Sequence, residues 1–128
     1  MSAEIFNELY TKLVLWVADT APADWRRVEI NMEMIFDNQE IAKSWITRCY
    51  IGDSENEIDE YPATGLQKVQ MLDLFKKLNI ASAESGERWT ICDLTVRRNG
   101  KCELEYQYSA PPRSVSYTHL TLPTIPLV

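Results

Sequence analysis

The chain has 128 residues, a formal net charge of −6 and a pI near 4.8, with 45% hydrophobic and 25% charged residues. That is the length of one domain with one core, and so ordinary a balance of apolar and charged groups excludes disorder over most of it. The acidic balance argues against a nucleic-acid binder, which would show a basic face. It suits a basic partner, although mild acidity also serves solubility alone.

No apolar run is long enough to span a bilayer, so no membrane partner is expected. Glu4 and Glu8 stand where a secretory signal would place basic residues, and a cytoplasmic location is the expectation. Cys49, Cys92 and Cys102 are odd in number and lie in strand-like runs without a C-x-x-C pair or a His-rich cluster. Neither a disulfide framework nor a zinc site is indicated, and buried reduced thiols are expected.

Residues 4–18 have the spacing of an amphipathic helix. Ile5, Phe6, Leu9, Leu13, Trp16 and Val17 form its apolar stripe, with Glu4, Glu8 and Lys12 elsewhere. Ser2 suits its N-cap, Pro22 stops it, and Trp25 closes one end of the core. From Arg27 the period changes to two: Val28, Ile30, Met32, Met34 and Phe36 alternate with Glu29, Asn31, Glu33 and Ile35. Asp37-Asn38-Gln39-Glu40 supplies a turn into a second strand over residues 41–51, rich in β-formers. Both faces of this strand are apolar, so two registers stay open. A four-residue loop puts Trp45 on the core side; a five-residue loop puts Ile46 and Tyr50 there.

Asp53, Glu55, Glu57, Asp59 and Glu60 make the most acidic segment, which self-repulsion suits to a solvated, mobile loop. Thr64 is the expected N-cap of a second helix, with Leu66, Val69, Leu72 and Phe75 as its stripe and Met71, Leu74 and Leu78 widening it. Lys76 and Lys77 are expected to favour its negative end. Ser85-Gly86 then releases the chain into a hairpin over residues 89–108. A three-residue Arg98-Asn99-Gly100 loop pairs Val96 with Cys102, Leu94 with Leu104 and Cys92 with Tyr106, all on one face. A two-residue loop would mix the faces, so the alternation selects the register. Gly100 takes the left-handed position of the turn.

The order helix, two strands, helix, two strands predicts an α+β domain: two helices packed on a four-stranded, mainly antiparallel sheet, over residues 1–113. Residues 114–128 depart from the pattern. They hold no Asp, Glu, Lys or Arg but contain the only histidine, His119. The run Ser116-Tyr117-Thr118-His119-Leu120-Thr121-Leu122-Pro123-Thr124 resembles translated sequencing-adapter read-through. It is set aside as a non-native tail, with a native Pro-rich tail as the alternative.

Without His119 no histidine remains for a Ser-His or Cys-His nucleophile, and there is no Gly-rich phosphate loop. Glu103 with Glu105, or Glu29 with Glu33, could act as an acid–base pair or bind Mg²⁺, but alternating acids on a wet strand face are usually only that. The expectation is a non-enzyme without cofactor or metal, whose working part is an acidic surface. Asp53, Glu55, Glu57, Asp59, Glu60, Asp93, Glu103 and Glu105 are the candidate binding residues, with Ile35, Ile91 and Trp45 as apolar docking points.

Leu74-Phe75-Lys76-Lys77-Leu78, Trp89, Leu94, Gly100-Lys101 and Glu105-Tyr106-Gln107-Tyr108 resemble the C-terminal half of the YezG-like immunity proteins. Glu8-Leu9-Tyr10, Ala21-Pro22-Ala23-Asp24-Trp25 and the strand from Val28 resemble the N-terminal half, so the likeness spans roughly residues 4–109. Two departures stand out: the middle loop is short and very acidic, and Ser109-Ala110-Pro111-Pro112 replaces the acidic stretch that often follows the Tyr-x-Tyr ending. The resemblance implies a cytoplasmic bacterial antitoxin that neutralises the C-terminal domain of a polymorphic toxin, often a nuclease, and it transfers no catalytic motif. A secretion chaperone or adaptor that binds an effector without inhibiting it is the alternative.

Overall fold

The computed structural model describes residues 3–37, 40–109, 115–122 and 124–125. In chain order the elements are α1 (Ala3–Thr20), β1 (Trp25–Asp37), β2 (Glu40–Ile51), β3 (Asn56–Glu57), α2 (Gly65–Glu84), β4 (Ile91–Arg97), β5 (Cys102–Ser109) and β6 (Val115–Leu122). They form one sheet in the order β3-β2-β1-β4-β5-β6, antiparallel at every pairing. This is an α+β fold. The four expected strands form its contiguous centre, with two-residue β3 and the eight residues of β6 added at the edges. β6 lies in the segment set aside as a tail. An open edge offers unpaired N–H and C=O groups to whatever β-prone segment follows it, native or foreign.

β1 is the strand that joins the two hairpins, pairing with β2 on one side and β4 on the other. Phe36↔Ile41 and Met32↔Trp45 are partners, so β2 takes the register that points Trp45 toward the core and Ile46 and Tyr50 away from it. The β4–β5 hairpin has the register that its alternation dictates, Val96↔Cys102, Leu94↔Leu104 and Cys92↔Tyr106, with Gly100 at φ +87. Ser2 and the turn residues Asn38 and Gln39 lie outside the described residues.

Both helices cover the same side of the sheet. Leu9, Tyr10, Leu13, Val14, Trp16 and Val17 from α1 and Met71, Phe75 and Leu78 from α2 bury against Val28, Ile30, Met32 and Met34 of β1. Cys92, Leu94, Val96, Leu104 and Tyr106 complete that core. Trp89, ahead of β4, is fully buried and stacks on Tyr106. Side chains of period two on three adjacent strands leave the other side of the sheet open.

The apolar stripes need correction. Ile5 is half exposed, and Leu66 and Val69 are 69% and 60% exposed rather than inward. The true inner face of α2 follows Met71, Phe75, Leu78 and Ser82, and Val69 lies about 200° around the helix from Met71. Thr64 caps α2 as expected, in a reciprocal box. Its Oγ1 accepts from the Gln67 N–H at 3.1 Å, and Gln67 Oε1 accepts from the Thr64 N–H at 2.8 Å. Lys76 and Lys77 fall mid-helix, since α2 runs on to Glu84, and no basic residue stands in its last turn.

Candidate protein-docking face

The open side of the sheet is built from rows of register partners. Ile46, Asn31, Asp93 and Glu105 make one row; Arg48, Glu29, Thr95 and Glu103 the next; Ser44, Glu33, Ile91 and Gln107 the one on the other flank. A strand period of two puts all of them on the side away from the helices. The face is therefore graded. Tyr50, Arg27 and Arg97 hold one end, five carboxylates occupy the middle, and Ile35 and Ile91 lie toward the other end. Two shallow hollows of about 440 Å³ each indent it. One is lined by Glu29, Asn31, Ile46, Asp93 and Glu105, the other by Glu33, Ile35, Ile91 and Gln107.

Asp93 stands directly opposite Glu105, an arrangement of like charges that works against the isolated sheet. Asn31 offsets part of this by donating from Nδ2 to Asp93 Oδ1 at 2.6 Å. Ile46, 55% exposed, lies beside Asn31 on β2 and gives the acidic centre an apolar neighbour. Negative side chains around exposed isoleucines suit a protein surface carrying Lys or Arg on apolar stems.

The acidic loop is solvent-exposed, as expected, but three of its charges are paired rather than left to repel one another. Asp53 pairs with Arg26 at 2.6 Å, Glu55 with Arg27 at 3.1 Å and Glu57 with Arg48 at 3.8 Å. The Arg27 guanidinium also lies 4.1 Å over the Tyr50 ring and 3.4 Å from Glu29. Backbone bonds tie the loop at both ends: the Gly52 N–H donates to Asp24 O at 3.0 Å and the Ile58 N–H to Cys49 O at 2.9 Å. Local charge density predicted repulsion because the neutralising arginines come from β1 and β2, out of view of the segment itself.

The eight candidate residues therefore divide. Asp93, Glu103 and Glu105 share the open face, where Glu29 and Glu33 join them. Glu55 and Glu57 sit at its arginine end, and Asp53 beside them, all three in ion pairs. Asp59 and Glu60 are exposed away from this centre, and Glu60 lines a crevice on the helix side with Trp16, Trp45 and Tyr61. Trp45, half buried there, is not on the open face; Ile46 takes that place. Ile46 and Arg48 were missed as face residues because the alternation within β2 does not fix its register.

Burial pushes the Cys49 thiol up to about 11, with the charge of Asp24 adding to it, and the Cys102 thiol up to about 11. Cys92 is raised well above its ordinary value, first by burial and then by Asp93. All three stay protonated at neutral pH, and none has the character of a thiolate nucleophile. Among the described residues no three His, Cys, Asp or Glu side chains converge on a metal-sized site, and no helix is long and apolar enough to cross a membrane.

No family model matches the chain, and no curated protein matches it.

Proposed function

We propose that this chain is a bacterial immunity protein that binds a basic toxin domain, a nuclease, and neutralises it from the cytoplasm of the producing cell. The observation that carries the reading is the open sheet face. There Glu29, Glu33, Asp93, Glu103 and Glu105 surround Ile46 and Ile91 on a rigid scaffold whose helices are all on the other side. The resemblance to YezG-like proteins points the same way. Such a face draws in a positively charged substrate channel by long-range attraction and occupies it in place of nucleic-acid phosphates. The chain's part is binding and exclusion, with no bond made or broken.

Co-expression with the toxin encoded beside the gene tests the reading. Rescue of growth, and loss of nuclease activity in the purified complex, is the expected result. A toxin that stays lethal beside soluble, folded partner overturns it. A tight complex that still cuts nucleic acid would replace inhibition with an adaptor role.

A further inference from the structure

One end of the open face carries a row of positive charge. Arg27 of β1 is the register partner of Arg97 of β4, and the Arg97 N–H donates to Lys101 O at 2.9 Å to close the β4–β5 hairpin. The alternation that buries Val28, Val96 and Cys102 turns Arg27, Arg97 and Lys101 to the open side. Three cations therefore stand side by side across adjacent strands, and like charges so placed work against the pairing. Arg27 is answered from within: Glu29 lies 3.4 Å away, Glu55 3.1 Å, and the Tyr50 ring lies 4.1 Å below its guanidinium. Among the described residues no carboxylate pairs with Arg97 or Lys101. Glu29 stands one row further along β1, and Asp93 two rows along on β4. Nucleic-acid phosphates laid along the face would meet these carboxylates. The anion that suits the row is a carboxylate on a protein surface that carries cations beside it.

We propose that Arg97 and Lys101, beside Arg27, form a carboxylate-binding subsite that takes an Asp or Glu side chain of the toxin. This rests on the reading of the chain as a toxin-binding protein and adds a second recognition element to it. The Arg97 guanidinium is a planar fork that can hold a carboxylate through two parallel N–H bonds, and Lys101 adds a second charge. Arg97 and Asp93 are four residues apart on β4, so the toxin must set its acid about 13 Å from the Lys or Arg that meets Asp93. A requirement for both signs at a fixed spacing selects one basic protein among many.

The affinity of Arg97→Gln/Lys101→Gln for the purified toxin encoded beside the gene tests this, because charge alone predicts the opposite sign. The variant is more acidic than the wild type, so attraction between whole molecules would tighten its hold on a basic toxin. The subsite predicts instead a Kd raised about tenfold, mainly through faster dissociation, since the toxin's carboxylate is left without its partner. Relieving the like charges beside Arg27 should leave Tm unchanged or higher, which separates weaker binding from unfolding. Lys101→Gln alone, at the exposed turn, should act in the same direction by about threefold. An unchanged or lowered Kd in both variants overturns the proposal. So does a single-stranded RNA oligonucleotide that binds the free wild-type chain and not the double variant, which would give the row to nucleic acid. A wild-type chain that does not bind the toxin removes the immunity reading and the subsite together. Neutralisation by the wild type, with the double variant binding as tightly, removes the subsite alone.

Discussion

Asn31 on β1 donates a 2.6 Å hydrogen bond to Asp93 on β4, across the seam where the two hairpins meet. It brings a neutral donor to a row that sets Asp93 against Glu105. The pair links fold to function: the amide that stitches the hairpins together also holds a carboxylate in the centre of the docking face.

Asn31→Ala should lower stability by about 1.5–3 kcal/mol, the range for a hydrogen bond to a charged group. Asp93→Asn should cost little or even stabilise, because an amide still accepts from Asn31 and the repulsion from Glu105 is gone. Urea midpoints of the two variants check this, and a larger loss in Asp93→Asn than in Asn31→Ala would contradict it.

Deep in the core, Asn79 is fully buried and donates from Nδ2 to Trp89 O at 2.7 Å, tying α2 to the start of β4. Asn79→Ala removes that donor and leaves a carbonyl without water or partner. A loss of about 2–3 kcal/mol is expected, seen as a fall in Tm. Asn79→Leu keeps the branched shape but is bulkier and lacks the bond, so it should recover little of the loss.

Glycine substitutions separate backbone strain from crowding. Gly52 has φ +70 and open space where a Cβ would sit, so Gly52→Ala should cost only the left-handed penalty of about 1–2 kcal/mol. Gly100 has φ +87, and its Cβ would run into the backbone carbonyl of Ile125, whose N–H donates to Gly100 O at 2.9 Å. Gly100→Ala should therefore be the more damaging of the two in thermal melts, and equal losses would argue that Ile125 is not held there.

How much of this was legible in the sequence depends on how local the deciding contact is. The β4–β5 hairpin was readable in full, because alternation and Gly100 lie within the segment they control. β2 was not, since Trp45 and Ile46 are both apolar and only pairing with β1 chooses between them. Leu66 and Val69 misled the α2 stripe: any helix offers several apolar arcs, and the sheet selects the one through Met71 and Phe75. The acidic loop misled for the same reason, its three neutralising arginines being at 26, 27 and 48. Of the candidate site, the β4 and β5 carboxylates were legible from period alone, whereas their union with Glu29, Glu33 and Ile46 required the β1–β4 seam.

Alkaline pH should unfold the protein early. The buried thiols of Cys49 and Cys102 titrate near 11 in the folded chain against 9.0 when exposed. Above pH 9 the unfolded chain therefore releases protons that the folded chain keeps, and stability falls as pH rises through 11. Below pH 9 their contribution is fully present. Cys92, Tyr61 and Tyr106 are shifted up by burial and act with the same sign. Tm measured between pH 8 and 11 should drop progressively, and the slope should lessen in Cys49→Ala/Cys102→Ala. A flat profile would mean that the thiols ionise freely in the fold.

Position, rather than charge count, should decide which carboxylates recruit a basic partner. Asp53, Glu55 and Glu57 spend their charge on Arg26, Arg27 and Arg48, so each ion pair presents little net field outward. Glu29, Glu33 and Asp93 stand together on the open face; Glu29 shares Arg27 with Glu55, and Asp93 accepts from the neutral Asn31 amide. Neutralising the face with Glu29→Gln/Glu33→Gln/Asp93→Asn should slow association with a basic toxin by about tenfold at low salt, while neutralising the loop changes it far less. The two triple variants remove the same formal charge, so net charge alone predicts identical rates. Stopped-flow association at several ionic strengths distinguishes them. A loss that follows net charge equally in both would place recognition in the field of the whole molecule instead of the face, and raising salt should erase the difference between them.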